Sequence, residues 1–80
     1  MMLDTFRCSA KDLHHPAMVG VPFRLRLPGD SEDPATWHAV ADVVDHGGGI
    51  EMFTVSFHGS TDQKVFNAGD QVEIAVVRPD

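Results

Sequence analysis

Five histidines, a single cysteine and twelve acidic residues carry the chemistry this sequence is able to offer. His38 and His58 lie on either side of a glycine-rich turn, so an extended hairpin makes them cross-strand neighbours on its outer face, with Asp42 nearby. Two imidazoles and a carboxylate in that arrangement could share a divalent metal. A structural zinc asks for four ligands, and nothing in the spacing brings Cys8 to the pair. The plainer reading is two solvated histidines on a sheet face. His14 and His15 are adjacent, and neighbours on an extended chain point apart. Cys8 with a histidine, or Ser60 with His58, could form a nucleophile–base pair, but neither carries an elbow motif or a third group to orient the base. Gly47-Gly48-Gly49 is not a phosphate loop, because no Lys-Ser/Thr follows and no helix opens there. A small metal- or cysteine-dependent enzyme is therefore the weakest of three functional readings. No catalytic residue is assigned, and no cofactor is expected.

The elements that would position these residues are organised around 40–58. The pattern predicts an apolar strand, a glycine turn able to take positive φ, and a second apolar strand. Trp37, Ala39, Ala41 and Val43 share one side of an extended chain, and so do Phe53, Val55 and Phe57. Pairing Val43 with Phe53, Ala41 with Val55 and Ala39 with Phe57 makes the two apolar faces coincide, and burial should hold that register. The outer face then carries His38, Val40, Asp42 and Val44 opposite His58, Ser56, Thr54 and Met52. A rival reading has residues 34–45 helical. Asp33 is a good N-cap, Pro34 suits the first helical position, and Trp37, Val40, Ala41 and Val44 form a stripe at helical spacing. The stiff β-branched Val40, Val43 and Val44, and the direct run into a glycine turn, favour the strand.

Residues 21–28 read as a half-buried strand, with Val21, Phe23, Leu25 and Leu27 inward and Arg24 and Arg26 solvated. GDSEDP at 29–34 and GSTDQK at 59–64 are turns by composition. Ala68-Gly69-Asp70 turns into an alternating strand with Val72, Ile74 and Val76, which Pro79 ends. Leu3–Cys8 reads as a short edge strand, and Ser9 with Asp12 gives a weak helix-start cue. Residues 1–20 are thus a partly irregular N-terminal segment ahead of a domain over 21–80. The fold class is all-β: a small single-domain barrel or sandwich of five to six antiparallel strands. The alternative is α+β, with the 34–45 helix packed on the sheet.

Composition sets the partners. Six basic against twelve acidic residues give a formal net charge of −6. Nucleic-acid affinity rests on clustered Lys and Arg, so a phosphate-backbone partner is excluded, and an anionic membrane surface with it. One cysteine permits no intrachain disulfide, which fits a reducing compartment. No apolar run approaches the roughly 20 residues that span a bilayer. The start MMLDTFR has no apolar segment behind a basic one. A cytoplasmic protein is expected, working as a non-enzymatic protein-interaction or adaptor module whose partner is another protein.

Two short motifs add a further reading. Arg7 and Lys11 stand in RxxxR spacing, as RCSAK, and Asp42, Val44 and Gly47 stand in DxSxxG spacing, as DVVDHG. A basic pair, an apolar strand, an Asp-bearing strand into a glycine turn and a final Gly-Asp strand follow in order. This arrangement, over about residues 7–78, resembles PilZ-type β-barrels, the bacterial receptor domains for cyclic di-GMP. The resemblance implies a cyclic dinucleotide held by Arg7, Lys11, Asp42 and Gly47. Lys11 stands where the family has an arginine and cannot give the same planar, bidentate grip. Val44 stands where the family has a serine and lacks its hydroxyl. Both departures imply weakened or lost nucleotide binding, as in family members that serve as protein-interaction modules.

Overall fold

The computed structural model describes residues 2–18, 20–47, 49 and 51–78. It is all-β. Six antiparallel strands, β1 (Met2–Ser9), β2 (Phe23–Leu25), β3 (His38–Asp45), β4 (Met52–Phe57), β5 (Gln63–Asn67) and β6 (Gln71–Arg78), form one sheet in the order β1-β6-β2-β3-β4-β5. Three 3₁₀ turns, at Ala10–His14, Pro16–Met18 and Pro34–Thr36, complete the regular structure. The sheet is not closed into a barrel. It is strongly curled, because β5 and β6 lie far apart in the sheet yet are joined only through 68–70. The 3₁₀ turn at Ala10–His14 clamps that joint: the Ala10 N–H donates to the Asp70 carbonyl (2.8 Å) and the Lys11 N–H to the Ala68 carbonyl (3.2 Å).

The concave face holds the core. Leu13, Phe23, Leu25, Val55, Phe57, Val72 and Ile74 are buried together, with Cys8, Val40, Val43 and Phe66 packed around them. Leu25 and Val55 are fully enclosed. Alternation explains the sheet's contribution: Val72 and Ile74 on β6, and Phe53, Val55 and Phe57 on β4, are the inward residues of their strands.

Residues 34–45 are not a helix. Asp33 does cap, its side chain accepting from the Ala35 N–H (3.0 Å), and Pro34 does open a helical turn. That turn lasts three residues before β3 begins, and the strand's β-branched Val40, Val43 and Val44 then pair with β4. The N-terminal cue at Ser9 also holds, since the Ser9 N–H donates to Asp12 (3.1 Å) at the start of the 3₁₀ turn. Ahead of it, β1 is longer than expected and pairs along eight residues of β6, from Met2↔Arg78 to Ser9↔Gln71. The strand expected over 21–28 shortens to Phe23–Leu25.

The hairpin register differs from expectation by two residues. Val43 faces Val55 and Asp45 faces Phe53, rather than Val43 facing Phe53. The connection is wider than a tight turn, closed by the His46 N–H on the Met52 carbonyl (3.2 Å). Gly47 and Gly49 take positive φ, 63° and 80°; Gly48 lies outside the described residues, as does Pro79. A slip of two leaves every side chain on its face, so burial fixes the parity of the pairing but not the register. Before Asp42 a β-bulge breaks the parity too: Val40 pairs with Phe57 and Asp42 with Ser56. Val40 therefore joins the core and Ala41 is exposed. His38 lies opposite Leu25 on the inner face, and Ala39 lies opposite Arg24 on the outer one.

The outer face behind β6 and β2 is not a simple solvated surface. Arg24 donates to the Ala35 carbonyl (2.7 Å). Arg26 donates to Glu73 (3.1 Å) and to the Asp30 carbonyl (3.2 Å), and its guanidinium stands 5.8 Å from the centre of the Trp37 ring. Trp37 is buried, its indole N–H on the Ser31 carbonyl (2.8 Å). The two arginines thus lash the loop 30–37 across the back of the sheet.

Candidate functional site

Arg7 projects from the outer face of β1 beside Glu73 (3.7 Å), with 81 % of its side chain exposed. It edges an open cleft of about 480 Å³ at the end of the sheet, with Arg26, Leu27, Phe66 and Glu73. Lys11 lies exposed on the 3₁₀ turn. Asp42 is at the bulge, where its carboxylate accepts from the next N–H, that of Val43 (2.9 Å). Asp42 lines a different cleft, of about 420 Å³, with Leu13, His14, Val40 and His58. Gly47 follows β3, its N–H on Asp45 (2.9 Å). The four positions drawn from the resemblance are therefore spread over separate places, with Arg7 and Asp42 in different clefts.

His38 and His58 do not share the outer face: His38 lies on the inner one, while the His58 N–H donates to the carbonyl of Ala39, which lies on the outer one (2.9 Å). Both line a small cleft with Leu27, Phe57 and Lys64. The bulge turns His38 inward, edge-on to Phe57 with ring centroids 5.7 Å apart. Its Nε2 lies 3.2 Å from Asp30, so its acidic partner is Asp30 and not Asp42. The Leu27 N–H, donating to the Asp30 carboxylate at 2.8 Å, holds that carboxyl below the usual range, with help from His38 and Arg26. Among the described residues no group of three or more His, Cys, Asp or Glu side chains could hold a metal ion.

Cys8 is half-buried against the core. Burial, and then the charge of Asp12, push its thiol pKa upward. A thiol that resists ionisation is a poor nucleophile.

The most continuous unassigned surface is the outer face of β3, β4 and β5. Val44, Thr54 and Val65 lie directly opposite one another across the three strands. Met52 is the next outward residue of β4, and Val44, Met52 and Val65 are exposed large hydrophobes. Cross-strand neighbours sit about 5 Å apart, so these side chains form one patch. His46 touches it, its Nε2 2.6 Å from the Thr54 hydroxyl. Asp42, opposite Ser56, is exposed on the same face, whereas Asp45 lies opposite the inward Phe53. The alternation in β4 signals which residues face out, but only the observed register lines Val44 up with Val65.

Comparison of the chain with protein-family models, with curated proteins and with solved structures gives no match. No helix among the described residues is long and apolar enough to cross a membrane.

Proposed function

We propose that this domain is a non-enzymatic protein-interaction module that seats another protein on the outer face of β3–β5. The observation that carries the reading is the exposed row Val44–Thr54–Val65 with Met52 beside it, three of the domain's exposed large hydrophobes gathered on one face of β3–β5. Asp42, exposed two residues before Val44 on the same face of a chain of net charge −6, points to a partner with an apolar patch and a basic contact. The raised thiol pKa of Cys8 supports a non-enzymatic role.

The test places a photo-crosslinking residue at Thr54 and identifies what it captures in native extract. Val44→Asp and Val65→Asp alter exposed side chains and should leave stability within about 0.5 kcal/mol. They should lower capture of the specific partner at least tenfold, whereas Lys11→Ala should not. Equal capture by wild type and Val44→Asp would overturn the assignment of this face.

A second reading, the cyclic dinucleotide receptor of the PilZ resemblance, draws support from one feature: Arg7, Arg26 and the ring of Phe66 share a cleft. Titration of the ¹⁵N-labelled domain with cyclic di-GMP separates the two. Amide shifts clustered at Arg7, Lys11, Asp42 and Gly47 would favour the receptor, and an unchanged spectrum at millimolar ligand would remove it.

A further inference from the structure

The opposite side of the molecule carries an independent feature. β1 is an edge strand of eight residues, and the direction of its backbone groups follows from its neighbours. On β6, the Glu73 carbonyl accepts from Arg26 and the Val77 N–H donates to Pro22, so the odd residues of β6 point to β2 and the even ones to β1. In the observed register Met2, Asp4, Phe6 and Cys8 are then bonded to β6. Leu3, Thr5, Arg7 and Ser9 turn their N–H and C=O groups outward. The Ser9 N–H is taken by Asp12. Leu3, Thr5 and Arg7 make no further backbone hydrogen bond to the described residues.

This edge has the inward-facing Asp4 and the charge of Arg7 but little else of the usual protection. It has no proline, lysine or bulge, and Met2 and Phe6 stand 54 % and 52 % exposed on its inner face. The 3₁₀ turn at 34–36, tied to Arg24, approaches β1, but its backbone makes no hydrogen bond to Leu3, Thr5 or Arg7. The charges around it also cancel: Asp4 pairs with Arg78 (3.6 Å) and Arg7 with Glu73 (3.7 Å). On a chain of net charge −6, this is a locally neutral surface, so two copies can meet here without bringing like charge together.

We infer that β1 pairs with β1 of a second copy of this chain, antiparallel about a two-fold axis at Thr5, to join the two sheets into one. The register follows from the open groups. With Thr5 opposite Thr5 of the partner, Leu3 meets Arg7 in each direction, and all three outward residues bond in roughly six inter-chain hydrogen bonds. Phe6 comes diagonal to Phe6 and to Met2 of the partner, which covers both exposed hydrophobes. A two-fold at Asp4 would set Asp4 against Asp4. One at Phe6 would call on the Ser9 N–H that Asp12 already holds. The surface involved is separate from the β3–β5 face, so neither proposal depends on the other.

The experiment combines sedimentation equilibrium with site-directed crosslinking of the whole chain. Wild type should show a concentration-dependent monomer–dimer equilibrium. Thr5→Pro removes an outward N–H and none that bonds to β6; it should keep the native circular dichroism spectrum and weaken the dimer at least tenfold. Val65→Lys, at the other edge, should leave the dimer unchanged. On a Cys8→Ser background, Thr5→Cys should form an inter-chain disulfide on mild oxidation, since paired Cα atoms about 5.5 Å apart suit one. Phe6→Cys should crosslink far less. A protein that stays monomeric to millimolar concentration, or a folded Thr5→Pro variant that dimerises as wild type does, would overturn the pairing. Preferential crosslinking at Phe6 would overturn its register.

Discussion

Leu25→Ala is the substitution that most directly tests how this sheet is held together. Leu25 is fully buried on the three-residue β2, where it faces Ile74 of β6 on one side and His38 of β3 on the other. Among the described strands, β2 alone pairs with both β6 and β3 and so joins the β1–β6 pair to the β3–β4–β5 half. Removing three carbons from a fully enclosed side chain loses about 2.4 kcal/mol, at ~0.8 kcal/mol per methylene. The hole left between Leu13, Phe23, Val55 and Ile74 adds to that, and core Leu→Ala changes span about 2.7–5.0 kcal/mol. We expect about 3–4 kcal/mol. At about 0.05–0.15 kcal/mol per residue, 80 residues give a total stability of roughly 4–12 kcal/mol, so about a quarter or more of it disappears. With a urea slope near 1 kcal/mol per molar, the midpoint should fall by about 3 M. Trp37 is the only tryptophan and lies under the outer loop, away from the Leu25 cluster. Its fluorescence should nevertheless shift together with far-UV circular dichroism, because Arg26, next to Leu25 in sequence, ties the two layers. A loss under 1 kcal/mol would refute the central place given to Leu25. Separate transitions for the two probes would refute the coupling of the layers.

Two further outcomes are expected. Gly47 has φ 63°, and a Cβ there would meet nothing within 4 Å, so the cost of Gly47→Ala is backbone strain alone, about 1 kcal/mol, with Gly47→Asn costing less; urea midpoints check the order. Asp30 has its carboxyl held low by the Leu27 N–H, by His38 and by Arg26, so its ionised form stabilises the fold above the unfolded carboxylate value of about 3.9 and that contribution is lost as pH falls through the lower folded value. The stability difference between wild type and Asp30→Asn should therefore be fully present near pH 5 and shrink below about 4; a difference unchanged from pH 5 down to pH 2 would contradict the assignment.

How much of this was legible in the sequence depends on which kind of order is asked for. Alternation is local, so the inward faces of β4 and β6 could be read directly, with Phe53, Val55, Phe57, Val72 and Ile74 all buried as their spacing implies. The Asp33 cap and the Ser9–Asp12 pair were also local and also held. Register was not legible, because a two-residue slip costs no buried side chain. The bulge at Ala41 was not legible either. It trades Ala39 and Ala41 for Val40 on the inside, a choice set by β2 and β4 together and by nothing in β3 alone. The arginines of β2 misled for a related reason. A solvated face and a face lashed under a loop have the same alternation, and only the fold brings Ala35, Trp37 and Glu73 to Arg24 and Arg26.

The same distinction separates the candidate sites. A site built on one motif depends on distant segments meeting, and here the curl of the sheet leaves Arg7 and Asp42 in different clefts, while the bulge hands His38 to Asp30. Surfaces made by neighbouring strands depend on less. The Val44–Thr54–Val65 row needs only β3, β4 and β5 in register, and the open backbone of Leu3, Thr5 and Arg7 needs only β1 on β6. The two differ in charge. The row has Asp42 exposed beside it on a chain of net charge −6, and the edge is neutralised by Arg7 and Arg78. An acidic surface repels its own copy and attracts a basic partner, whereas a neutral edge admits its own copy. Raising ionic strength should accordingly weaken binding at the β3–β5 face while leaving self-association through β1 nearly unchanged.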